Sequence, residues 1–198
     1  MKNIRLTVWI GIMCGWLAAG MLQAGTRPDN ARPAEEDGSR LWLPVMRPVE
    51  GAEVEVIYKG KVSPTIAIAI AELKNAWKGD PVLLEKKKTG RGDGFAITSS
   101  EHQVRILSST ETGLLYGAYS LLRMQAAGQL TVPLSVTEQP AYDLRILNHW
   151  DNPDGTVERG YAGRSLWNWE ELPGTLSPRY EAYARANASV GINGTVLN

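Results

Sequence analysis

The sequence predicts an α/β protein in two unequal parts. The first, residues 41–140, reads as a small two-layer α/β sandwich with a mainly antiparallel sheet and two helices. The second, residues 141–198, reads as the first βα unit of an incomplete (β/α)8 barrel. Three observations predict this. Short period-2 runs interleave with two amphipathic helical stripes up to Pro140, the character of the chain changes at Gln139-Pro140, and a glycine-rich polar loop follows directly on the apolar run Leu144 to Leu147.

Ordered structure is expected to begin at Leu41-Trp42-Leu43. Glu53 to Tyr58 alternates charged and apolar side chains, the mark of a half-buried strand. Ser63-Pro64 supplies an N-cap followed by proline at the first helical position, and the helix carries Ile66, Ile70, Leu73 and Trp77 before Gly79. Val82 to Leu84, Gly94 to Thr98 and Val104 to Leu107 are predicted strands, the last two joined by a polar turn at Ser99 to His102. A second helix after Thr110 presents Leu114, Leu115, Ala118, Leu121 and Leu122 on one stripe and stops at Gly128; a last strand runs from Thr131 to Val136.

Beyond Pro140 the pattern is strand, long loop, helix, strand. Leu144 to Leu147 is the first strand, Pro173 to Ser177 a turn, Ser177-Pro178 the start of a helix through Tyr180, Tyr183 and Val190, and Thr195 to Leu197 the second strand. In a (β/α)8 barrel this order puts the loop on the face where active sites are assembled. A closed barrel takes about 250 residues, far more than follow Pro140. The expectation is therefore an open edge of parallel strand that favours disorder, aggregation or docking on the amino-terminal domain, with that domain folding independently and the tail poorly held.

Composition narrows the function classes. The 198 residues balance 21 Lys and Arg against 21 Asp and Glu, which argues against a nucleic-acid binder. The one dense basic run, Lys86 to Lys88 with Arg91 nearby, reads as a solvated hairpin edge. Residues 1–24 have the form of an export signal: Lys2 and Arg5, then an apolar Leu6 to Ala19, then Leu22-Gln23-Ala24. That run is shorter than a bilayer span and is interrupted by Gly11 and Gly15, so a secreted or periplasmic protein with no membrane segment after processing is expected, followed by a flexible leader over residues 25–40. Cys14 would leave with the signal, which removes disulfides and thiolate chemistry. His102 and His149 have no cysteine partners, so no metal is expected, and nothing implies a cofactor. Gly90 to Gly94 lacks nucleotide-binding spacing and reads as a hairpin turn. Two glycosylation sequons, at Asn187 and Asn193, carry no weight by themselves.

The stretch His149 to Trp167, HWDNPDGTVERGYAGRSLW, is built to hold a polar ligand. Trp150 offers an indole face suited to the apolar face of a pyranose, or alternatively a core tryptophan under the rim. Asp151 and Asn152 could bind sugar hydroxyls or cap the loop backbone. Arg159 and Arg164 could clamp a carboxylate, or pair with Asp154 or Glu158 and fix the loop. Gly155, Gly160 and Gly163 supply backbone angles other residues reach only with strain, and Trp167 and Trp169 fit packing roles.

Leu144-Arg145-Ile146-Leu147-Asn148 with His149-Trp150-Asp151-Asn152 and Gly155 to Ser165 resembles the start of the barrel in the α-glucuronidases of glycoside hydrolase family 67. Asp37 to Leu43 and Glu111 to Arg123 resemble that family's amino-terminal domain. The resemblance implies a secreted enzyme that removes (4-O-methyl)glucuronic acid from xylooligosaccharides with inversion, by an acid and a base roughly 6.5 to 9.5 Å apart. Those carboxylates come from later barrel strands in the family, so no catalytic residue is assigned here and the chain alone is expected to show no hydrolysis. The expected partner is a glucuronylated xylooligosaccharide, bound by Trp150, Asp151, Asn152 and Arg159, and the full-length enzyme is expected to be a homodimer. The competing reading is a non-catalytic carbohydrate-binding or interaction module.

Overall fold

The computed structural model describes residues 54–197. The export signal over residues 1–24, the leader over 25–40, the start at Leu41 and the first residue of the Glu53 strand lie outside the described residues.

Five strands and two helices make the first layer pair. They are β1 (Val56–Tyr58), α1 (Pro64–Ala76), β2 (Val82–Lys86), β3 (Phe95–Ser100), β4 (Gln103–Ser108), α2 (Glu111–Ala126) and β5 (Ser135–Glu138). Both helices begin where the sequence places a cap. The Ser63 hydroxyl accepts from the amide of Ile66 at 3.3 Å, and Thr110 accepts from Gly113 at 2.9 Å. Each replaces a backbone partner that the first helical turn lacks, worth about 1 kcal/mol.

The sheet order is β1-β2-β4-β3-β5. It is mixed and not mainly antiparallel, which corrects the sequence expectation: β1, β2 and β4 run parallel, while β3 is antiparallel to both β4 and β5. The cause is connectivity. Helix α1 carries the chain back to the starting end before β2 forms, the hallmark of a parallel crossover. The Glu101-His102 turn folds β4 back on β3, and β4 then inserts beside β2. Gly90 to Gly94 consequently turns the chain without making a hairpin, because its flanking strands are not neighbours. The last strand begins at Ser135, later than Thr131, since Pro133 has no amide proton to give a ladder.

Alternate residues of the central strands, among them Val82, Leu84, Ile97, Val104 and Ile106, face α1 and α2 and are almost fully enclosed. From the helices Ile66, Leu73, Leu114, Leu121 and Leu122 complete the core. Gly117 lets α2 lie close to the sheet: a methyl group there would run into Ile106 and Phe95.

The segment after Pro140 forms β6 (Ile146–Asn148), α3 (Pro178–Ser189) and β7 (Gly194–Val196), with β6 and β7 parallel. Of the outcomes open to this segment, docking is the one adopted. The Arg185 guanidinium on α3 grips both carboxylate oxygens of Glu72 on α1, one at 2.7 Å, and Tyr119 of α2 donates to the same carboxylate at 3.2 Å. Arg145 makes a second junction, reaching Asp93 at 3.2 Å and the carbonyl of Gly191 at 2.6 Å. Among the described residues no helix is long and apolar enough to cross a membrane.

Candidate functional site

The loop between β6 and α3 is held by its own short backbone bonds and by polar side chains. The Asp151 and Val157 backbones pair, as do Thr156 and Arg164, so the loop folds into a flattened double turn. Asn152 donates to the Thr156 hydroxyl at 2.8 Å and to the Glu158 carbonyl at 2.7 Å. Thr156 donates through both hydroxyl and amide to Asp154, and these bonds, chiefly the hydroxyl, with a smaller push from Arg164, hold the Asp154 carboxyl below its usual range. Glu158 stands at a φ of 57°, a left-handed conformation uncommon outside glycine, fixed there by its amide bond to the Trp150 carbonyl at 2.7 Å.

Beneath the loop lies an aromatic cluster. Trp167 stacks on Tyr180 at 5.0 Å between centroids and meets His149 and Tyr183 edge-on at 5.4 and 5.2 Å. A polar chain threads the cluster. Asp151, 6% exposed, accepts from the Ser165 hydroxyl and faces His149 Nδ1 at 3.8 Å. His149 Nε2 lies 2.6 Å from the Tyr183 hydroxyl, which lies 3.3 Å from Thr195, which in turn donates to the Leu147 carbonyl at 3.2 Å. All of these contacts are satisfied together when donation runs one way, from His149 Nε2–H through Tyr183 and Thr195 to Leu147. The arrangement ties β6, β7 and α3 together around the base of the loop.

The predicted binding residues fall into two groups. Trp150 is 61% exposed and Arg159 is exposed as well. Asp151 and Asn152 are turned toward the loop's own groups. Arg164 lies against Gly155 and Asp154, and Trp167 is buried at 8% exposure while Trp169 remains 40% exposed. His149, Tyr183 and Thr195 were not singled out by the sequence; the spacing of Tyr180 and Tyr183 on one helix, which puts both rings on one face, was the available signal.

A cavity of about 590 Å³ lies apart from Trp150. Trp167, Tyr180 and Tyr183 form one side of it, and Thr65, Thr112 and Tyr116 of the amino-terminal helices the other. Asn187 of the first sequon lines it and is 8% exposed as a residue.

Comparison with known proteins gives one family and a consistent set of relatives. The sequence profile described as "Glycosyl hydrolase family 67 middle domain" matches residues 124–198. The "Probable alpha-glucuronidase A" of Aspergillus clavatus is 41% identical over 107 residues, which are 54% of this chain and 12% of that protein. The protein of the same description from Neosartorya fischeri is 44% identical over 107 residues, with the same shares. "Alpha-glucuronidase A" of Aspergillus tubingensis is 40% identical over 106 residues, again 54% of this chain and 12% of the relative. The chain thus spans about 12% of the length of the curated relatives it matches.

Proposed function

From the glycoside hydrolase family 67 character of residues 124–198 we propose that this chain contributes the first wall of the sugar pocket of a secreted α-glucuronidase, one that removes (4-O-methyl)glucuronic acid from xylooligosaccharides. The observation that carries the reading is Trp150. It stands 61% exposed at the carboxyl end of β6, on a loop whose polar side chains are committed to holding it. An indole face suits the apolar face of a pyranose ring, and the loop's polar groups leave this one open. Arg159 on the same rim meets the acidic or hydroxyl edge of the sugar, while Asp151 and Asn152 act on it through the loop they anchor.

The strand–helix–strand unit of β6, α3 and β7 is the opening of the (β/α)8 barrel in this reading, and the loop lies on the catalytic face. Inversion requires an acid and an opposing base flanking the scissile bond with room for water between them. Those two carboxylates belong to other strands of the barrel, so the described residues bind and orient sugar without moving a proton at the anomeric carbon.

Calorimetric titration of the 198-residue chain with a 4-O-methylglucuronosyl xylobiose tests the reading. Saturable binding that weakens roughly tenfold in Trp150→Ala is expected. Affinity unchanged by Trp150→Ala, or absence of heat at millimolar ligand, would overturn it.

A further inference from the structure

We propose that the cavity between the amino-terminal helices and α3 is a second carbohydrate site, one that takes a neutral pyranose and operates independently of Trp150. Its volume, about 590 Å³, falls in the range of small-ligand sites. The walls are of the two kinds a sugar needs. Tyr116, Trp167 and Tyr183 line it with aromatic atoms, while Thr65, Thr112 and Asn187 give uncharged hydrogen-bonding groups.

Asn187 carries the argument. The residue is 8% exposed, yet among the described residues no hydrogen bond reaches its side-chain amide, and that amide is not sealed off from the cavity. An amide that faces a solvent-filled cavity without a protein partner is free to bond a ligand there. Its carbonyl accepts and its NH2 donates, so the complementary ligand group does both, as a sugar hydroxyl does. Other polar groups on the wall are already committed: Asn193 bonds Arg145 and Asp143, and Tyr183 bonds His149. Charge sets the class. Asp93, the one ionic side chain on the wall, is neutralised by Arg145 at 3.2 Å, which leaves no cation to attract a uronate and favours an uncharged ring.

The choice of xylose units as probe rests on the preceding proposal; the site itself does not. NMR titration of the 198-residue chain with xylobiose tests it, alongside Asn187→Leu, which keeps the volume and removes the amide, and Ala184→Trp. Ala184 is an exposed position of α3 on the cavity wall, so an indole there fills the space without touching the core. Saturable shifts in α3 and β7 are expected, weakened roughly tenfold by Asn187→Leu, abolished by Ala184→Trp and unchanged by Trp150→Ala. No saturation by millimolar xylobiose, or binding that survives Ala184→Trp and disappears with Trp150→Ala, would overturn the proposal. The latter result would leave the sugar reading of the loop intact, so failures of the two proposals can be told apart.

Discussion

In the amino-terminal sandwich Ile66, Leu114, Leu121 and Ile106 are fully enclosed, whereas in the unit after Pro140 Leu144, Ile146 and Trp150 stand 76%, 49% and 61% exposed. The sandwich is stabilised as globular domains usually are, each large aliphatic side chain contributing about 1.5–3 kcal/mol by leaving water. The second unit has little of that. It is held by ion pairs to the sandwich, by an aromatic cluster and by a loop that satisfies itself. Stability thus resides mainly in one region and exposed apolar surface in the other, and the Glu72, Tyr119 and Arg185 cluster joins them.

The largest expected effect breaks the first side of that comparison. Leu121→Ala should lower stability by about 2–5 kcal/mol in denaturant unfolding. If the second unit depends on the sandwich, fluorescence from its tryptophans will be lost at the same midpoint as far-UV dichroism; separate midpoints would show two independent folding units. Next comes the junction. Arg185→Met should cost about 1–3 kcal/mol, below the full value for a buried pair because the Arg185 side chain is 34% exposed. Hydrogen exchange should accelerate in β6, α3 and β7 and stay unchanged in α2.

Alkaline pH probes the same junction. Burial, reinforced by the neighbouring Glu72 charge, raises the Tyr119 hydroxyl well above its ordinary value of 10.0, and burial also raises Tyr116. A group whose folded pKa is raised contributes stability that is complete below the unfolded value and is lost as pH climbs toward the folded one. Unfolding free energy should therefore begin to fall above about pH 10, with a limiting slope near 1.4 kcal/mol per pH unit for each such group. Tyr119→Phe should flatten that decline, and an undiminished slope would place its origin elsewhere.

How much of this was legible in the sequence depends on the range of the interaction. Ser63 and Thr110 cap their helices through contacts three residues away, so both could be read directly. Strand order could not, because β4 lies between β2 and β3 for reasons of long-range pairing that alternation does not encode. Trp150 was legible as a loop residue outside the core because its neighbours form one continuous polar stretch, and the match of residues 124–198 to a known family covers that stretch. The cavity was invisible: Thr65, Tyr116 and Asn187 come from three helices, and only the docking of α3 brings them together.

Smaller effects sharpen the contrast within the second unit. Glu158→Val places a β-branched side chain at a φ of 57° and should cost about 1–2 kcal/mol in thermal unfolding. Trp150→Ala should change stability by less than about 0.5 kcal/mol, as expected for an exposed side chain away from any packed contact. A large loss of stability in Trp150→Ala would mean the indole supports the loop and does not await a ligand.

Glu72 and Arg185 are separated by 113 positions. Ribosomes deliver the amino-terminal elements first, so the acidic partner emerges and is surrounded by solvent well before its cation exists. Closure of so long a loop is a late, entropically costly event. The Glu72 carboxylate thus leaves the ribosome as an unpaired charge, and α3 brings its guanidinium only after a long further stretch of synthesis.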